Sequence, residues 1–434
     1  MDVIPLITAA AGGGSSGFGG GGGFSGGGGG FSGGGGRYYG GGGGGIYVGS
    51  GAGWVVLAIV VIVIAFLLLG VISTWLMMRR MRQRLEERDT QVRRAAAEAA
   101  EDDAAFAVER VTGDVGVMFH AIQGAWDARD EDALAQLVGP DLMVEWRRRL
   151  RDFARRGWHN RVRVVTGPVV RYVGLTNRED DAEDRVVVHI DATLEDYVEA
   201  DGRRIMRDGT AASTVDLREF WTLAKREGRW TLVSIEQDTE GAHNLSAPLV
   251  ASPWADERVR DAAVIEGALA DTPGPDVATA DLVSVSLAED AHAQALDLSL
   301  ADARFAPDVL TVAARRAAQA WAEAVDGDDA PLAAVATPAA VATLLYGGDE
   351  TRRTRLVVRG PQLEQVTVEL LLPSPEPARM RIAVRVRGRR YVEDRDTAAI
   401  ISGSKDTETT FTEHWMLALD GPAAMPWRLT GVSA

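Results

Sequence analysis

The sequence contains no cysteine, and lysine occurs only at Lys225 and Lys405. Without cysteine the protein has no disulfide, no thiolate nucleophile and no zinc–sulfur cage. Its six histidines form no i, i+4 pair and adjoin no carboxylate motif, so the spacing predicts no metal site. The net charge of −16 does not favour phosphate contacts, which argues against a general nucleic-acid binder. No P-loop, kinase or G-x-S-x-G pattern stands in a valid context, and we expect neither an enzyme nor a bound cofactor.

One long stretch without charge is present at residues 54–78, and arginines follow at once, at Arg79, Arg80, Arg82 and Arg84. A helix of this length is long enough to cross a hydrocarbon layer about 30 Å thick. The arginines on its C-terminal side predict that the N-terminus lies outside and the C-terminal part in the cytoplasm. The first residues lack the basic region of a signal peptide, so we expect a permanent, single-pass anchor in the plasma membrane.

The segments on either side of this stretch differ in composition. Residues 1–53 are mostly glycine, which cannot bury enough surface to offset the entropy of the chain, and we expect a flexible tail. Residues 79–102 have a helix-forming composition, basic first and acidic afterwards, and predict a stalk that continues the membrane helix. Its arginines either attract anionic lipid or merely fix the topology.

An internal repeat organises the rest of the chain. The stretches GAWDARDEDALAQLV and LREFWTL in the first unit correspond to QAWAEAVDGDDAPLAAV and FTEHWML in the second. The aligned pairs are Trp126 with Trp321, Tyr197 with Tyr391, Glu219 with Glu413, Trp221 with Trp415 and Trp230 with Trp427. Each unit begins with apolar residues at helical spacing and continues with strict alternation, which predicts an α+β fold with helices on one face of an antiparallel sheet.

We place the first unit at 103–240 and a second, diverged unit at 301–434. Residues 241–300 contain several prolines and glycines, which interrupt helices and strands and predict a linker between the units. The stretch WADERVRDAAVIEGALA within it has a helical composition, and we expect that helix to pack on the first unit.

The segment 140–157 is a strongly basic amphipathic helix. An apolar stripe along it favours burial of one side, and the opposite side is rich in arginine. The candidates for contact with anionic lipid headgroups are Arg147, Arg148, Arg149, Arg151, Arg155 and Arg156. The alternative is a solvated face, or salt bridges to the many acidic residues nearby.

A second set of candidates is aromatic with one carboxylate. Its members are Trp126, Tyr197, Glu219, Trp221 and Trp230. They could line a pocket between the helices and a curved sheet, but their recurrence in the second unit favours core packing. Glu219 shares its strand face with Trp221 and is expected to point inward, either as a general base or, as we favour, in an ion pair with Arg161 or Arg163.

Residues 103–240 resemble the Tim44-like domain in the stretches FHAIQGAWDARDEDALAQLVGPDLMVEWRRRL and REFWTLAKREGRWTLVSIEQ. Bacterial relatives often combine a glycine-rich stretch and a membrane segment with this domain, as here. The resemblance implies a cone-shaped fold of the nuclear transport factor 2-like (NTF2-like) superfamily, without catalytic residues, that docks lipids and proteins at a membrane. Membrane association in the family involves N-terminal helices and anionic lipids such as cardiolipin. The second unit has ATPAAVATLLYGG in place of the basic helix.

These observations together predict a membrane-anchored scaffold. Two tandem, cone-shaped NTF2-like domains on the cytoplasmic side would bind anionic lipid, an unidentified protein partner, or both. One alternative is an enzyme of the same superfamily with an inward carboxylate in an aromatic pocket. The other is a small-molecule sensor, which a ligand would stabilise against unfolding.

Overall fold

The computed structural model describes residue 79 and residues 83–205, 214–238, 240–269, 285–374 and 376–432. The glycine-rich tail predicted at 1–53 and the membrane helix predicted at 54–78 lie outside these residues. Among the helices that the structure does describe, none combines the length and apolarity needed to cross a bilayer.

The first half opens with four helices. These are α1 (83–102), α2 (Val108–Ala128), α3 (Glu131–Leu137) and α4 (Pro140–Arg155). Helix α4 forms where the sequence predicts it, and proline at its first position costs no hydrogen bond because that N–H has no partner within a helix. Its predicted apolar stripe, which includes Leu142, Trp146 and Leu150, is buried.

The core of the first half extends further toward the N-terminus than predicted. Val92, Ala96 and Ala99 of α1 are buried in the same cluster as the apolar face of α2. Residues from about 92 onward therefore belong to the folded unit, and the predicted boundary at 103 falls too late. The alanine-rich sequence of α1 allows this close approach because small side chains bring helices together.

Five strands follow the helices of the first half. They are β1 (Trp158–Thr176), β2 (Arg185–Ala200), β3 (Arg203–Ile205), β4 (Thr214–Arg226) and β5 (Arg229–Gln237). They form an antiparallel sheet in the order β1-β2-β4-β5, with β3 paired to β2. The alternation predicted on β2 is confirmed, because Val186, Val188, Ile190 and Leu194 are all buried.

The second half has its own helices and sheet. Its helices are α5 (Glu257–Leu269), α6 (Glu289–Ser299), α7 (Pro307–Asp326), α8 (Ala330–Val335) and α9 (Pro338–Tyr346). Its strands are β6 (Val285–Leu287), β7 (Thr354–Leu372), β8 (Arg379–Asp394), β9 (Ala399–Gly403), β10 (Thr409–Ala418) and β11 (Arg428–Val432). The sheet order is β11-β10-β8-β7-β6, with β9 paired to β8, and β6 alone pairs in parallel.

Helix α5 forms where the sequence predicts it but packs differently. Its partner is α7 of the second half, where Asp261 of α5 accepts from Arg315 at 2.5 Å. Its Arg258 reaches Glu183 of the first half at 2.6 Å. The expected packing of this helix on the first unit is therefore wrong, because its buried charge has its partner on α7.

Equivalent contacts support the predicted repeat. The indole N–H of Trp230 donates to the carbonyl of Ala105 at 3.0 Å, and that of Trp427 donates to the carbonyl of Arg304 at 2.9 Å. Each of these indoles also meets a phenylalanine edge to face. Each half has its own apolar core. The expected α+β class, with helices packed on antiparallel strands, is confirmed.

Candidate functional site

Charged side chains join the two halves. Arg355 and Arg395 of the second half are buried, and both bind the carboxylate of Asp141 at the start of α4. Arg395 also lies 3.7 Å from Glu145, one turn further along α4. Buried charges are expensive to desolvate, so such pairs persist where both partners are held in place.

A second charged cluster lies where three segments meet. Glu236 is the penultimate residue of β5, His243 lies in a short 3-10 helix (Gly241–Leu245), and Asp326 is the last residue of α7. Arg359 of β7 completes it, with its Nη1 3.3 Å from Glu236 Oε1 and 3.0 Å from Asp326 Oδ1. His243 Nε2 lies 2.8 Å from Glu236 Oε2 and 3.6 Å from Asp326 Oδ2. Each carboxylate therefore gives one oxygen to the guanidinium and turns the other toward the imidazole.

The electrostatics of this cluster favour a protonated histidine. Burial alone would lower the pKa of His243, but the carboxylates of Glu236 and Asp326 outweigh it and raise the pKa to about 9. Burial would raise the pKa of Glu236, yet His243 and Arg359 lower it. Burial and the neighbouring Glu236 raise the pKa of Asp326. The cluster therefore places two acidic side chains in contact with an imidazole and a guanidinium.

Glycine at position 360 permits the close approach of His243. Gly360 has a φ of 58°, and a Cβ there would lie 2.8 Å from both Cβ and Cγ of His243. Its N–H donates to Asp326 Oδ2 at 3.3 Å. A side chain at this position would push the imidazole away from the carboxylates.

The cluster opens onto a cavity of about 450 Å³ between the halves. Residues of β1, β4 and β5 line one side, and residues of α7 and β7 line the other. Arg178 in its wall pairs with Glu323 at 2.9 Å across the junction of the halves. A volume of this size accommodates a small molecule, and the charged cluster supplies convergent polar groups.

Two of the six arginines that were predicted to face lipid, Arg148 and Arg149, instead contact other parts of the protein. Arg148 donates to Asp396 at 3.2 Å and to the carbonyl of Thr351, both in the second half. Arg149 is buried, with Glu145, Glu393 and Asp152 as the nearest negative charges. Neither side chain is free to face headgroups, which corrects the predicted set.

Of the other four arginines, three lie on the outer side of α4 and Arg156 directly follows its last residue. Arg147 lies 3.4 Å from Glu131, and Arg155 and Arg156 lie 3.2 Å and 2.9 Å from Asp152. Arg151 is exposed to solvent. Both alternatives left open by the sequence therefore occur on this helix: salt bridges to local acids, and a solvated basic surface.

The predicted aromatic pocket is largely part of the core. Trp126 is buried and donates to Asn160 Oδ1 at 2.7 Å, while Trp221 packs on a phenylalanine of α2. Trp230 belongs to the same core. Tyr197 is only half buried, and the guanidinium of Arg204 lies 3.7 Å from its ring centre. The three tryptophans therefore lie in the core cluster of the first half.

Glu219 points inward as predicted, but its expected partner is wrong. Arg161 lies 3.3 Å from Glu199, and Arg163 lies 2.8 Å from Glu195. The carboxylate of Glu219 instead accepts from the indole of Trp221 at 2.9 Å. Burial, with a smaller contribution from nearby Glu240, raises the pKa of Glu219 to about 8.

The 450 Å³ cavity is lined by other residues and not by Glu219. Glu219 is 4% exposed and its carboxylate contacts the buried indole of Trp221. Although the raised pKa would suit a general base, proton transfer also needs access to substrate. The geometry therefore does not favour a catalytic role for this residue.

Residues 92–237 match the family model of the Tim44-like domain. The first half contains a Tim44-like domain. No curated protein sequence matches the chain. Among solved structures, the intermembrane space region of the chloroplast protein ARC6 is similar over 28% of this chain and 91% of its own, with 10% identity and a TM-score of 0.23. An Ntf2-like protein involved in plasmid conjugation is similar over 70% of this chain and 86% of its own, with 9% identity and a TM-score of 0.15.

The match agrees with the packing of the Tim44-like domain. It begins at 92, where α1 joins the core, and ends at 237, the last residue of β5. The charged cluster and the cavity lie at the edge of this domain, and residues of the second half complete both. The sequence does not predict the charged cluster, because its members, at 236, 243, 326 and 359, come from separate segments and follow no spacing rule.

Proposed function

We propose that this protein is a single-pass membrane scaffold whose Tim44-like domain and second half form one binding unit at the cytoplasmic face of the plasma membrane. The observation that carries the proposal is a Tim44-like domain that follows an uncharged stretch, at 54–78, with arginines directly after it. Both halves fall within one compact unit, which favours a single platform over two independent modules.

We further propose that each half is an NTF2-like cone. In each half three consecutive helices, α2–α4 or α7–α9, directly precede the long antiparallel strands, and bulges in β1 and β7 bend those sheets. A curved sheet around helices gives the cone shape. The role we propose is binding rather than catalysis, because Glu219, the candidate general base, is buried and does not line the cavity.

The lipid-docking surface in this proposal is the outer side of α4. Arg147, Arg151 and Arg155 lie there and Arg156 directly follows the helix, with Glu131 and Asp152 as the paired acids. Their excess positive charge would attract an anionic headgroup by about 1 kcal/mol for each arginine near the surface. A protein partner would use the remaining surface of the platform, and crosslinking in intact membranes would identify it.

Co-flotation with liposomes tests the docking surface. The fragment 89–434, which lies within one compact unit, is mixed with neutral or cardiolipin-containing vesicles at low and high salt. We expect binding to the anionic vesicles that weakens with salt, because exposed charges are screened. The double variant Arg151→Glu/Arg155→Glu should lose this binding.

A matched control separates the surface from overall charge. The double variant Arg385→Glu/Arg387→Glu makes the same charge change on exposed arginines of β8. It should bind vesicles like the unaltered fragment. If neither liposome binds the fragment at low salt, or if both double variants lose binding equally, docking through α4 is excluded and the anchor alone supplies membrane contact.

A further inference from the structure

We propose that Glu236, His243 and Asp326 form a binding site for a divalent transition metal of the zinc class at the junction of the two halves. Their ligand atoms, one from each side chain, all lie within 4.8 Å of one another. Imidazole and carboxylate donors suit Zn²⁺ and its neighbours in the first transition series. This proposal is independent of membrane docking, because none of the three residues lies on α4.

The distances fit a metal with little movement. Ligand atoms about 2.1 Å from a tetrahedral Zn²⁺ lie about 3.4 Å from each other. His243 Nε2 is 2.8 Å from Glu236 Oε2 and 3.6 Å from Asp326 Oδ2, values on either side of that separation. The imidazole is 21% exposed toward the cavity, so it has room to move back by the few tenths of an ångström required.

Arg359 holds the carboxylates in the orientation that a metal needs. It binds Oε1 of Glu236 and Oδ1 of Asp326, which leaves Oε2 and Oδ2 directed at the imidazole nitrogen. The N–H of Gly360 adds a bond to Asp326 Oδ2. Ligating carboxylates are commonly oriented by such outer hydrogen bonds, which fix their direction and basicity.

The cavity supplies the fourth position. Glu236, His243 and Asp326 all line the 450 Å³ space, so water or a small ligand can reach a metal bound to them. Three protein ligands and one open position are typical of catalytic zinc sites, whereas structural zinc sites have four protein ligands. With two carboxylates, one guanidinium and a divalent ion, the site has a net charge of +1 and favours an anion at the open position.

Titration of the full-length protein with Zn²⁺ tests the proposal. The detergent-solubilised, chelator-treated protein is titrated by calorimetry at pH 8.5, because a proton on His243 competes with the metal. We expect one equivalent of Zn²⁺ to bind and to remain after desalting. His243→Ala and Asp326→Asn should each weaken binding at least tenfold.

An exposed histidine of the second half provides the matched control. His414 lies 3.2 Å from Glu369 on the sheet surface, and His414→Ala should bind Zn²⁺ like the unaltered protein. Cobalt in place of zinc gives a second measurement on the unaltered chain, since ligand-field bands report nitrogen and oxygen donors without any variant. The proposal is overturned if the unaltered protein binds no stoichiometric metal, if His243→Ala, verified as folded by circular dichroism, retains full affinity, or if the cobalt form lacks those bands.

Discussion

Helix α4 of the first half and helix α9 of the second occupy equivalent places in the repeat but have different surfaces. The apolar stripe of α4 is buried while its polar side carries Asp141, Glu145 and the arginines that meet the second half. Helix α9 (Pro338–Tyr346) has no charged residue, and Ala340, Leu344 and Leu345 are buried in it. Both helices pack in a core. At the interface α4 contributes charged side chains, whereas α9 contributes the hydroxyl of Tyr346, 3.5 Å from Asp141.

The glutamates at the equivalent strand positions, Glu219 and Glu413, also differ in their surroundings. Glu219 is buried and accepts from the indole of Trp221. Glu413 is partly exposed and lies 3.4 Å from Arg390. The tryptophan two residues later is fully buried in both halves, so the repeat preserves packing at this position while the electrostatics have diverged.

The largest expected effect comes from the buried charges between the two halves. Arg359→Ala leaves Glu236 and Asp326 buried with one cationic partner fewer, and we expect the free energy of unfolding of fragment 89–434 to fall by about 3–5 kcal/mol. Urea unfolding followed by circular dichroism measures the loss. The control Arg385→Ala removes an exposed pair with Glu364 and should cost less than about 1 kcal/mol. Equal losses of unfolding free energy for the two variants would mean that the charged cluster does not hold the two halves together.

The second prediction uses the difference between the two glutamates. Because the pKa of Glu219 is raised to about 8 in the folded protein, the folded state keeps a proton that the unfolded chain releases near its ordinary value of 4.5. Stability contributed by this proton is lost as pH rises from about 4.5 to 8. Glu219→Gln stays neutral, so its advantage over the unaltered fragment should grow across that range to the order of a few kcal/mol.

Urea unfolding of both forms at pH 5, 6.5 and 8 measures this advantage. Glu413→Gln, at the equivalent strand position, is the matched control because its carboxylate is partly exposed and lies 3.4 Å from Arg390, and its difference from the unaltered fragment is compared with that of Glu219→Gln at each pH. A constant difference between Glu219→Gln and the unaltered fragment would mean that Glu219 is ionised in the fold.

Local patterns in the sequence predict the elements of this fold well. The stripe of Leu142, Trp146 and Leu150 predicts α4, and the alternation around Val188 predicts β2, because each depends on the period of one element. The partners across the interface follow no such period. Arg359 and Glu236 are 123 residues apart, and neither has a local signal that distinguishes it from the exposed charges nearby.

The third prediction tests how closely the two halves match. Trp230→Phe and Trp427→Phe each remove an indole N–H and leave the carbonyl of Ala105 or Arg304 without that donor. We expect each to reduce the free energy of unfolding by about 1–3 kcal/mol, measured by urea unfolding. Similar values would support equivalent packing, whereas a loss confined to one variant would show that the repeat is conserved in sequence but not in energetics.

The candidate site was harder to predict than the fold, for the same reason. The arginine-rich side of α4 indicates a contact surface, but the sequence does not separate Arg148, which meets the second half, from Arg151, which faces solvent. Both follow the apolar stripe at helical spacing. Only the position of the second half distinguishes them, and that position is set by long-range ion pairs such as Asp141 with Arg395.

The smallest expected effect distinguishes these two arginines. Arg148→Ala removes the bond to Asp396, which is partly exposed, and should lower the free energy of unfolding by up to about 1 kcal/mol. Arg151→Ala should change stability by less than that but reduce binding to cardiolipin vesicles. Urea unfolding and co-flotation of the same two variants give both readouts. If Arg148→Ala instead weakens vesicle binding and leaves stability unchanged, then Arg148 faces the membrane and the second half does not cover this side of α4.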